Sequence, residues 1–272
     1  MLAYVKELWS TRELLANLTM RDVKGKYRRT ILGQLWSLIN PLATMLVYTI
    51  VFSFLFKASP RPGNPSGLDI YPLWLLCGLL PWTFFTRVVN GSMSSLVGNG
   101  NLIKKVYFPR MQLPFAVVGS TGFTWLNEMG LVAVVVLIFG GWVIPWIPLL
   151  LVLMVLLAMF ASGIGMMLAI LNVHFRDTEH FVAIALRMLM YLTPVLYPLS
   201  LVASVSKGQP WILSLYELNP MEHFLTIFRN LLYDNGWPAL SDWTWCVCSA
   251  VGVFAIGFTV FMRNERRLAV LL

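Results

Sequence analysis

Six long apolar segments, separated by short polar connectors, constrain the fold of this chain more than any other feature. They lie at residues 35–56, 73–97, 113–140, 146–171, 179–198 and 243–262. The first has 22 residues, and at ~1.5 Å per residue such a helix reaches ~33 Å, enough for the ~30 Å hydrocarbon core of a bilayer. Only 12% of the residues are charged and 58% are hydrophobic, so a water-soluble fold could not bury this much apolar surface. The pattern therefore predicts an all-α integral membrane protein with six transmembrane helices.

The basic residues predict how these helices are oriented. With the N-terminus inside, 14 of the 20 Lys and Arg residues fall on the inner side, four fall outside, and two lie within predicted helices. The four outer residues are Lys57, Arg61, Lys207 and Arg229. Because cytoplasmic segments carry the excess of Lys and Arg, we expect both termini in the cytoplasm. The net charge of +8 follows from this bias, so we expect no nucleic-acid partner.

Two shorter segments are amphipathic but cannot cross a bilayer. Residues 4–18 place apolar side chains on one side of a helix and polar ones on the other, which is typical of a helix lying in the membrane surface. A solvated leader helix is the alternative. Within the long extracellular connection at 199–242, residues 219–233 carry apolar side chains at helical spacing. They are too few and too charged to span, so we expect a re-entrant or interfacial helix there.

Motifs for catalysis and nucleotide binding are missing from the sequence. It has no G-x-x-x-x-G-K-[ST] loop to hold phosphates and no Ser/His/Asp or Cys/His arrangement. Cys77, Cys246 and Cys248 all lie in apolar segments, which argues against a disulfide framework. The segment NVHFRDTEH at 172–180 gathers two His and two carboxylates, but a solvated turn between helices explains it better than a metal site. We expect no catalytic residue, no metal and no cofactor in this chain.

Two cytoplasmic connectors have the composition of a docking surface. NLIKKVYFPRMQLP at 101–114 mixes apolar and basic residues in a short loop, and exposed apolar groups often mark an interaction site. The second connector, at 172–178, lies on the same side. The candidate partner-binding residues are Lys104, Lys105, Val106, Tyr107, Phe108, Arg176 and Asp177.

Several of these segments occur together in one family. The succession RDVKGKYRRTILGQLWSLINPL, LIKKVYFPRMQLP, FRD and TPVLYP resembles the permease subunits of ATP-binding-cassette exporters, from about Leu14 to the C-terminus. The branch that it resembles exports O-antigen, capsular polysaccharide and wall teichoic acid. The resemblance implies a single transmembrane permease domain at 1–272. It would comprise an amphipathic gate region at 1–34, a six-helix core at 35–262 and a cytoplasmic tail at 263–272.

The resemblance also implies a function and a set of partners. Two identical permeases would pair with two cytoplasmic ATPase subunits, which bind ATP and Mg. The complex would move an undecaprenyl-diphosphate-linked glycopolymer outward across the bacterial cytoplasmic membrane. This chain would then be the transport subunit and not itself an enzyme, and its two connectors would receive the ATPase. Overall likeness favours wall teichoic acid as the cargo, with O-antigen and capsule close behind.

Two other functions compete with this one. An ion-coupled secondary transporter or flippase would work without an ATPase, but such proteins are expected to contain intramembrane acidic relays or internal repeats. Glu128 is the one acidic residue near mid-membrane in the predicted helices, and no repeat is evident. A membrane enzyme acting on lipid-linked sugars would need a cluster of catalytic carboxylates, which the sequence does not contain.

Aromatic residues of the first helix are candidates for the wall of a substrate channel. Tyr48, Phe52 and Phe56 recur every four residues, so they share one face of a helix, where sugars can rest on aromatic rings. The family resemblance adds Tyr191 in the fifth helix. Packing on a neighbouring helix or contact with lipid near the interface is the alternative.

Charged residues inside the predicted helices are the remaining candidates. Arg87, Glu128 and Arg187 lie near mid-membrane, where each charge costs ~2.5–3.5 kcal/mol and needs a partner or water. Either an Arg pairs with Glu128 between two helices, or an unpaired Arg faces the channel and binds a diphosphate. Arg28 and Arg29, ahead of the first helix, either collect the same anionic headgroup at a gate or only orient the chain.

Overall fold

The computed structural model describes residues 2–28, 30–51, 62–199, 201–202 and 210–271, and within these ranges every regular element is a helix. In chain order the α-helices are α1 (Leu2–Ser10), α2 (Arg12–Tyr27), α3 (Trp36–Tyr48), α4 (Tyr71–Gly98), α5 (Gly100–Lys105), α6 (Gln112–Ile138), α7 (Ile147–His174), α8 (Thr178–Leu192), α9 (Pro210–Glu217), α10 (Pro220–Arg229) and α11 (Leu240–Leu271). Short helical turns are Gly33–Leu35 and Ile144–Trp146, of 3-10 type, and Asn230–Asp234, of π type. The all-α prediction is confirmed for the described residues.

Five helices of the described chain are long and apolar enough to cross a membrane. They are formed by Gly33–Val51, Tyr71–Gly98, Gln112–Ile138, Ile144–His174 and Leu240–Glu265, in agreement with five of the six predicted segments. The remaining segment, 179–198, contains α8, whose 15 residues extend ~22 Å, less than the ~30 Å hydrocarbon core. A sixth crossing therefore stays a prediction. The predicted end of the first helix, at 52–56, lies outside the described residues.

The helix α4 lies at the centre of the bundle. Most of its side chains are buried, as expected of a helix with neighbours on several sides, and Leu75, Cys77 and Val88 are fully buried. Both α6 and α7 pack against α4, and α11 packs against α7. Where α7 meets α11, a Cβ atom at Gly163 would lie 2.6 Å from the carbonyl oxygen of Val253. Glycine is therefore required for the two backbones to approach this closely.

The bundle has two polar ends. At the first, which we call the connector end, Gln112 donates to the Thr11 hydroxyl at 2.7 Å and the backbone N–H of Arg110 donates to the Glu265 carboxylate. These contacts bring the N-terminal helices, the connector at 98–112 and the last turns of α11 together. Both ends of the described chain thus lie at the same end of the bundle, as the predicted topology requires.

The opposite end of the bundle, the loop end, joins the segments predicted to be extracellular. The Tyr233 hydroxyl donates to the Leu68 carbonyl at 2.7 Å, and the Trp142 N–H donates to the Asn235 side-chain oxygen at 2.7 Å. These bonds tie the segment before α4, the turn between α6 and α7, and the turn after α10 to one another. That the loop end faces outward, and the connector end the cytoplasm, stays a prediction.

The N-terminal region differs from a single surface helix. A turn at Thr11 divides it into α1 and α2, and α2 lies alongside α6 with Leu18 and Val23 buried. Thr19 contacts Gly119 of α6 so closely that a Cβ atom on this glycine would lie 3.0 Å from the Thr19 side chain. Much of the apolar side expected to face lipid therefore packs against protein. Contact of this region with the membrane surface stays a prediction.

The helix predicted within 219–233 is present as α10 and belongs to the core. Its apolar side chains at helical spacing, including Phe224, Leu225 and Phe228, are fully buried. They pack against α4 and α11. The segment is thus held inside the bundle at the loop end, and a re-entrant path through the membrane stays a prediction.

Candidate functional site

The first connector presents basic and apolar side chains to solvent at the connector end. Lys104, Lys105 and Val106 are exposed, and Tyr107 is 87% exposed. Phe108 differs from its neighbours because its side chain is buried in an apolar cluster formed by the ends of α2, α4, α6, α7 and α11. Among the residues predicted to contact a partner, Phe108 therefore anchors the loop, and the four before it form the accessible surface.

The same connector is fixed to the end of the last helix. Arg110 binds Glu265 of α11 twice, since its backbone N–H donates to the carboxylate and its guanidinium donates to the main-chain carbonyl. Ile103 and Met111 are buried below the loop. A loop with buried anchors on both sides of an exposed Tyr107 is held in one conformation, and it can transmit a push from a partner to the helices.

The second connector joins α7 to α8 at the same end. Arg176 and Asp177 are exposed, as predicted for contact residues, and Phe175 beside them is 66% exposed. The turn is pinned from below by Asn172, whose side-chain amide donates to the Met93 carbonyl of α4 at 3.2 Å. Sequence reasoning missed Phe175, although an aromatic residue in a charged turn is a signal of the kind used for Tyr107.

The predicted intramembrane charges separate into one pair and one exposed cation. The Arg87 guanidinium donates to Glu128 across α4 and α6 at 2.8 Å; the Glu128 side chain is 1% exposed and that of Arg87 29% exposed. The pairing alternative therefore describes Arg87. Arg187 is exposed on α8, and in the part of the chain that the structure describes no carboxylate forms an ion pair with it.

Arg87 also lines an open cleft between α2, α4 and α6, which we call the polar cleft. Its volume is about 740 Å³, and its wall contains hydroxyl, amide and charged side chains from all three helices. The basic ones are Arg21 and Lys26 of α2 together with Arg87. Asp22, the acidic residue of the lining, lies 3.0 Å from Arg21, and Arg87 is paired with Glu128, so basic side chains outnumber acidic ones in the lining. The cleft can therefore attract an anion and offer it several hydrogen-bond donors.

The basic residues singled out ahead of the first helix are placed differently from those of the polar cleft. Arg28 is exposed and follows the last turn of α2 in an extended conformation. Arg29 lies outside the described residues. Within the basic cluster at 21–29, Arg21 and Lys26 line the polar cleft, because the packing of α2 on α6 decides which side of the helix is turned toward the bundle.

The sequence profile of the ABC-2 type transporter family matches residues 13–233, which is more than half of the chain. The chain belongs to this family. It is 32% identical to the O-antigen export system permease protein RfbA of Myxococcus xanthus over 238 residues, 88% of this chain and 87% of that protein. An RfbA of Klebsiella pneumoniae is 29% identical over 266 residues, with 96% and 95% covered. The capsule polysaccharide export inner-membrane protein CtrC of Neisseria meningitidis is 27% identical over 289 residues, with 97% and 96% covered.

The ABC-2 match covers the parts of the molecule that form the candidate functional site. It begins in α2 and ends in the π-helical turn after α10, so it includes both connectors, the Arg87–Glu128 pair and the polar cleft. The family assignment made from the connector and gate sequences is thereby confirmed. The alternative of a membrane enzyme unrelated to these transporters receives no support from the comparisons.

The structure describes two of the four aromatic residues that were predicted to line a substrate channel in this ABC-2 protein. Tyr48 ends α3, is half-buried against the main apolar cluster, and lies near Tyr191 of α8. Tyr191 is 58% exposed. Phe52 and Phe56 lie outside the described residues. Sequence reasoning missed Tyr197, whose hydroxyl donates to the Tyr191 carbonyl at 2.7 Å and so extends the group of aromatic residues toward the loop end.

A buried arginine at the loop end is the main structural feature that sequence reasoning missed. Arg229, counted among the outer charges, is 7% exposed and donates to the carbonyls of Pro194 and Val195 at 2.7 Å each. Its guanidinium lies 3.8 Å from the centre of the Trp74 ring. At Gly78 of α4 a Cβ atom would come within 2.6 Å of this guanidinium, so glycine leaves the space that Arg229 occupies. The arginine thus satisfies the carbonyls exposed where the chain leaves α8 without continuing as a helix.

A histidine on α10 forms a second buried polar group near Arg229. His223 donates to Asp242 at 2.8 Å through Nδ1 and to the Glu217 carbonyl at 2.8 Å through Nε2, and its ring stacks on Trp245. Burial by itself would lower the pKa of His223, but the hydrogen bonds to Asp242 and Glu217 and the nearby Glu222 raise it above its ordinary value. Within the described ranges no group of three or more His, Cys, Asp or Glu side chains is placed to hold a metal ion.

Proposed function

We propose that this chain is the membrane-spanning permease subunit of an ATP-driven exporter that carries a lipid-linked glycopolymer outward across the bacterial cytoplasmic membrane. The observation that carries the proposal is the ABC-2 match over residues 13–233. Relatives that match most of the chain are named as permeases for O-antigen export and as capsule exporters. We therefore propose a cargo of O-antigen or capsule type linked to undecaprenyl diphosphate, with wall teichoic acid as the second candidate.

ATP hydrolysis belongs, in this proposal, to a separate cytoplasmic subunit that binds ATP and Mg. The connectors provide the docking surface: Tyr107 on the first and Phe175 on the second project from loops that are anchored to the helices below them. Exposed aromatic side chains beside Lys104, Lys105 and Arg176 suit a partner groove with apolar walls and acidic edges. Two ATPase subunits would serve the two permeases of a homodimer.

A sixth crossing by the segment after α7 completes the proposed topology. This segment leaves the connector end near Asn172, and its Leu196 carbonyl accepts a hydrogen bond from the Tyr71 hydroxyl at the loop end at 3.0 Å. The segment from the 15-residue α8 through Leu196 therefore runs from the connector end of the bundle to the loop end. An even number of crossings places both termini in the cytoplasm and keeps the loop end outside.

The channel is proposed to form where two copies of the chain meet. The Gly33–Val51 helix and α8 expose apolar side chains that include Leu46, Ile50, Phe181 and Met188, each at least half exposed in the single chain. Burying part of these faces against a second copy would leave Tyr48 and Tyr191 beside a shared path, where their rings could contact sugars without fixing the polymer at one position. In the same proposal Arg187 faces this path and attracts the diphosphate.

Reconstitution with the partner ATPase tests the proposed function directly. The chain and a Walker-type ATPase encoded beside it should co-purify and, in proteoliposomes, move an undecaprenyl-diphosphate-linked polysaccharide only when ATP is supplied. An ATPase variant that binds but does not hydrolyse ATP is the control. Movement of the same cargo by the permease alone, driven by an ion gradient, would instead establish the ion-coupled alternative.

A single substitution on the first connector tests the coupling surface. Tyr107→Ala should leave the permease folded, because the side chain is 87% exposed, and should release the ATPase or separate its hydrolysis from export. Phe108→Ala is a contrasting variant, since loss of a buried phenylalanine costs about 3–5 kcal/mol and should lower stability instead. Normal export with normal ATPase binding in the Tyr107 variant would remove this surface from the proposal.

A further inference from the structure

A second cleft lies on the same side of α6 as the polar cleft. This apolar cleft has a volume of about 580 Å³ and is bordered by Leu32, Leu35 and Leu38, around the start of α3, and by Leu131 and Val134 of α6. Its polar edge consists of Gln34, Ser37 and Asn127. The rest of the wall is hydrocarbon, so an apolar ligand can pack against the leucine and valine side chains.

Helical geometry aligns the two clefts. Ser120 lines the polar cleft and Asn127 lines the apolar one, and their separation of seven residues is about two turns, so they lie on the same face of α6 about 10 Å apart. The C-terminal part of α2 borders the polar cleft, and the turn that enters α3 borders the apolar cleft. A single amphipathic molecule lying along α6 could therefore contact both.

We propose that these two clefts together bind the lipid anchor of the cargo, with its phosphate groups in the polar cleft and its hydrocarbon chain in the apolar cleft. The inference rests on the proposed function, and it adds a location and a set of contacts for the lipid. Arg21, Lys26 and Arg87 supply the positive charge, and Thr86, Asn90 and Ser120 supply additional donors. Arg87 keeps 29% of its side chain exposed beside Glu128, so it can donate to a phosphate while remaining paired.

The two clefts lie next to each other along α6, and this arrangement favours a lipid over a dissolved anion as the ligand. A dissolved anion would gain from the polar cleft and not from the adjacent apolar wall, whereas a lipid gains from both. An ordinary bilayer phospholipid shares this amphipathic form but carries a single phosphodiester group. The diphosphate of a polyprenyl carrier offers more acceptor oxygens to the basic side chains and to the Thr86, Asn90 and Ser120 side chains of the polar cleft. The site is therefore assigned to a polyprenyl diphosphate.

Crosslinking from the apolar cleft tests where the lipid chain lies. A photoreactive amino acid replaces Val134, and in a second variant it replaces Ile256 on α11; both side chains are more than half exposed. The permease–ATPase complex is mixed in detergent with undecaprenyl diphosphate and irradiated. Crosslinking should be several-fold stronger from position 134. Equal yields from the two positions would show ordinary contact with lipid along the surface and would overturn the proposal.

Competition identifies the ligand chemistry. Undecaprenyl diphosphate should suppress crosslinking of a labelled analogue at position 134, whereas phosphatidylglycerol at the same concentration and inorganic diphosphate should not. Equal competition by phosphatidylglycerol would make the clefts a general phospholipid site. Full competition by inorganic diphosphate would reduce the site to an anion pocket. Either result would overturn the assignment.

Matched substitutions test each cleft in turn. Lys26→Gln should weaken undecaprenyl diphosphate binding by about tenfold, since a hydrogen bond to a charged group contributes roughly that factor. Lys24→Gln, an exposed position of α2 outside the cleft, should not. Gly130→Leu fills the apolar cleft and should weaken binding and slow export, whereas Gly122→Leu on the same helix should change neither. A Cβ atom meets no neighbour within 4 Å at either glycine, so the backbone accepts a side chain at both positions.

Export by the reconstituted complex separates this inference from the function on which it rests. If ATP-driven export is normal in Gly130→Leu and Lys26→Gln, the proposed function holds and the lipid site is wrong. If the unaltered complex exports no lipid-linked polymer, the proposed function fails whatever the binding data show.

Discussion

Two regions of this molecule hold charged side chains within an apolar bundle, and they do so in different ways. Around α10, Arg229 is 7% exposed and its donors are directed at two backbone carbonyls. In the polar cleft, Arg87 is paired with the carboxylate of Glu128 and is still 29% exposed. The first arginine is enclosed by protein, and the second opens onto a space of about 740 Å³.

The difference between the two arginines indicates which of them can bind a ligand. Arg229 is held by Trp74, Gly78 and the end of α8, so its removal leaves buried carbonyls without donors and affects the fold. Arg87 faces a cleft with further donors, so its removal is expected to affect binding more than folding.

Removal of the Arg229 guanidinium should have the largest effect. Arg229→Met keeps most of the side-chain volume but leaves two buried carbonyls unsatisfied, at about 1–3 kcal/mol each. The purified protein should unfold at a clearly lower temperature in detergent. Arg263→Met removes an exposed arginine from α11 and is the control. Unchanged stability in the Arg229 variant would contradict the structural role assigned to this arginine, because it would then be dispensable for folding.

A methyl group at Gly78 should also destabilise the protein, by less than the loss of the Arg229 guanidinium, because it displaces that guanidinium. Gly78→Ala places a Cβ atom 2.6 Å from the Arg229 guanidinium, and such overpacking costs about 1–3 kcal/mol. Gly98→Ala, on the same helix, adds a Cβ atom that meets nothing within 4 Å and should be neutral. Thermal unfolding of both variants measures the difference. Equal stability of the two would show that Arg229 can shift without loss.

Stability lost by removing Arg87 should be recovered by a second substitution at its partner Glu128. Arg87→Met leaves Glu128 buried without a cation, at about 1–3 kcal/mol, whereas Arg87→Met combined with Glu128→Leu removes both partners and should recover most of the stability. Binding of undecaprenyl diphosphate should stay weak in both variants. Recovery of binding together with stability would mean that Arg87 acts through the fold and does not contact the lipid.

The smallest expected effect concerns pH and His223. Folding favours the protonated ring, because the pKa of His223 is raised in the folded protein by Asp242, the Glu217 carbonyl and Glu222 against the effect of burial. This stabilisation is fully present below the unfolded pKa of about 6.5 and is lost as pH rises through the raised folded pKa. Melting temperatures measured from pH 6 to pH 9 should fall less steeply in His223→Gln than in the parent. Parallel curves would contradict the pKa shift.

Sequence reasoning identified exposed and basic segments of the chain, but it did not determine which side chains of those segments are buried. The first connector and the basic segment ahead of α3 are where charged and aromatic groups collect, yet Phe108 is buried and Arg28 lies outside the polar cleft. The reason is that composition identifies a segment as polar or exposed, whereas packing decides which residue of the segment turns inward. Arg229 shows the same limit, since a single arginine in a loop sequence carries no sign that Gly78 leaves a space for it.

The sequence by itself determined the helical class, the position of five long apolar helices and the membership of the ABC-2 family, because apolar periodicity and the succession of motifs are properties of the chain alone. Tertiary structure alone decided that α10 belongs to the core, that Arg87 rather than Arg187 pairs with Glu128, and that two clefts align along α6. Each of these depends on which helix faces which. In an almost uniformly apolar chain, the packing of one helix against another is decided by close contacts such as Gly163 against Val253 and by a few buried hydrogen bonds. The hydrophobic pattern of the sequence does not reveal these contacts.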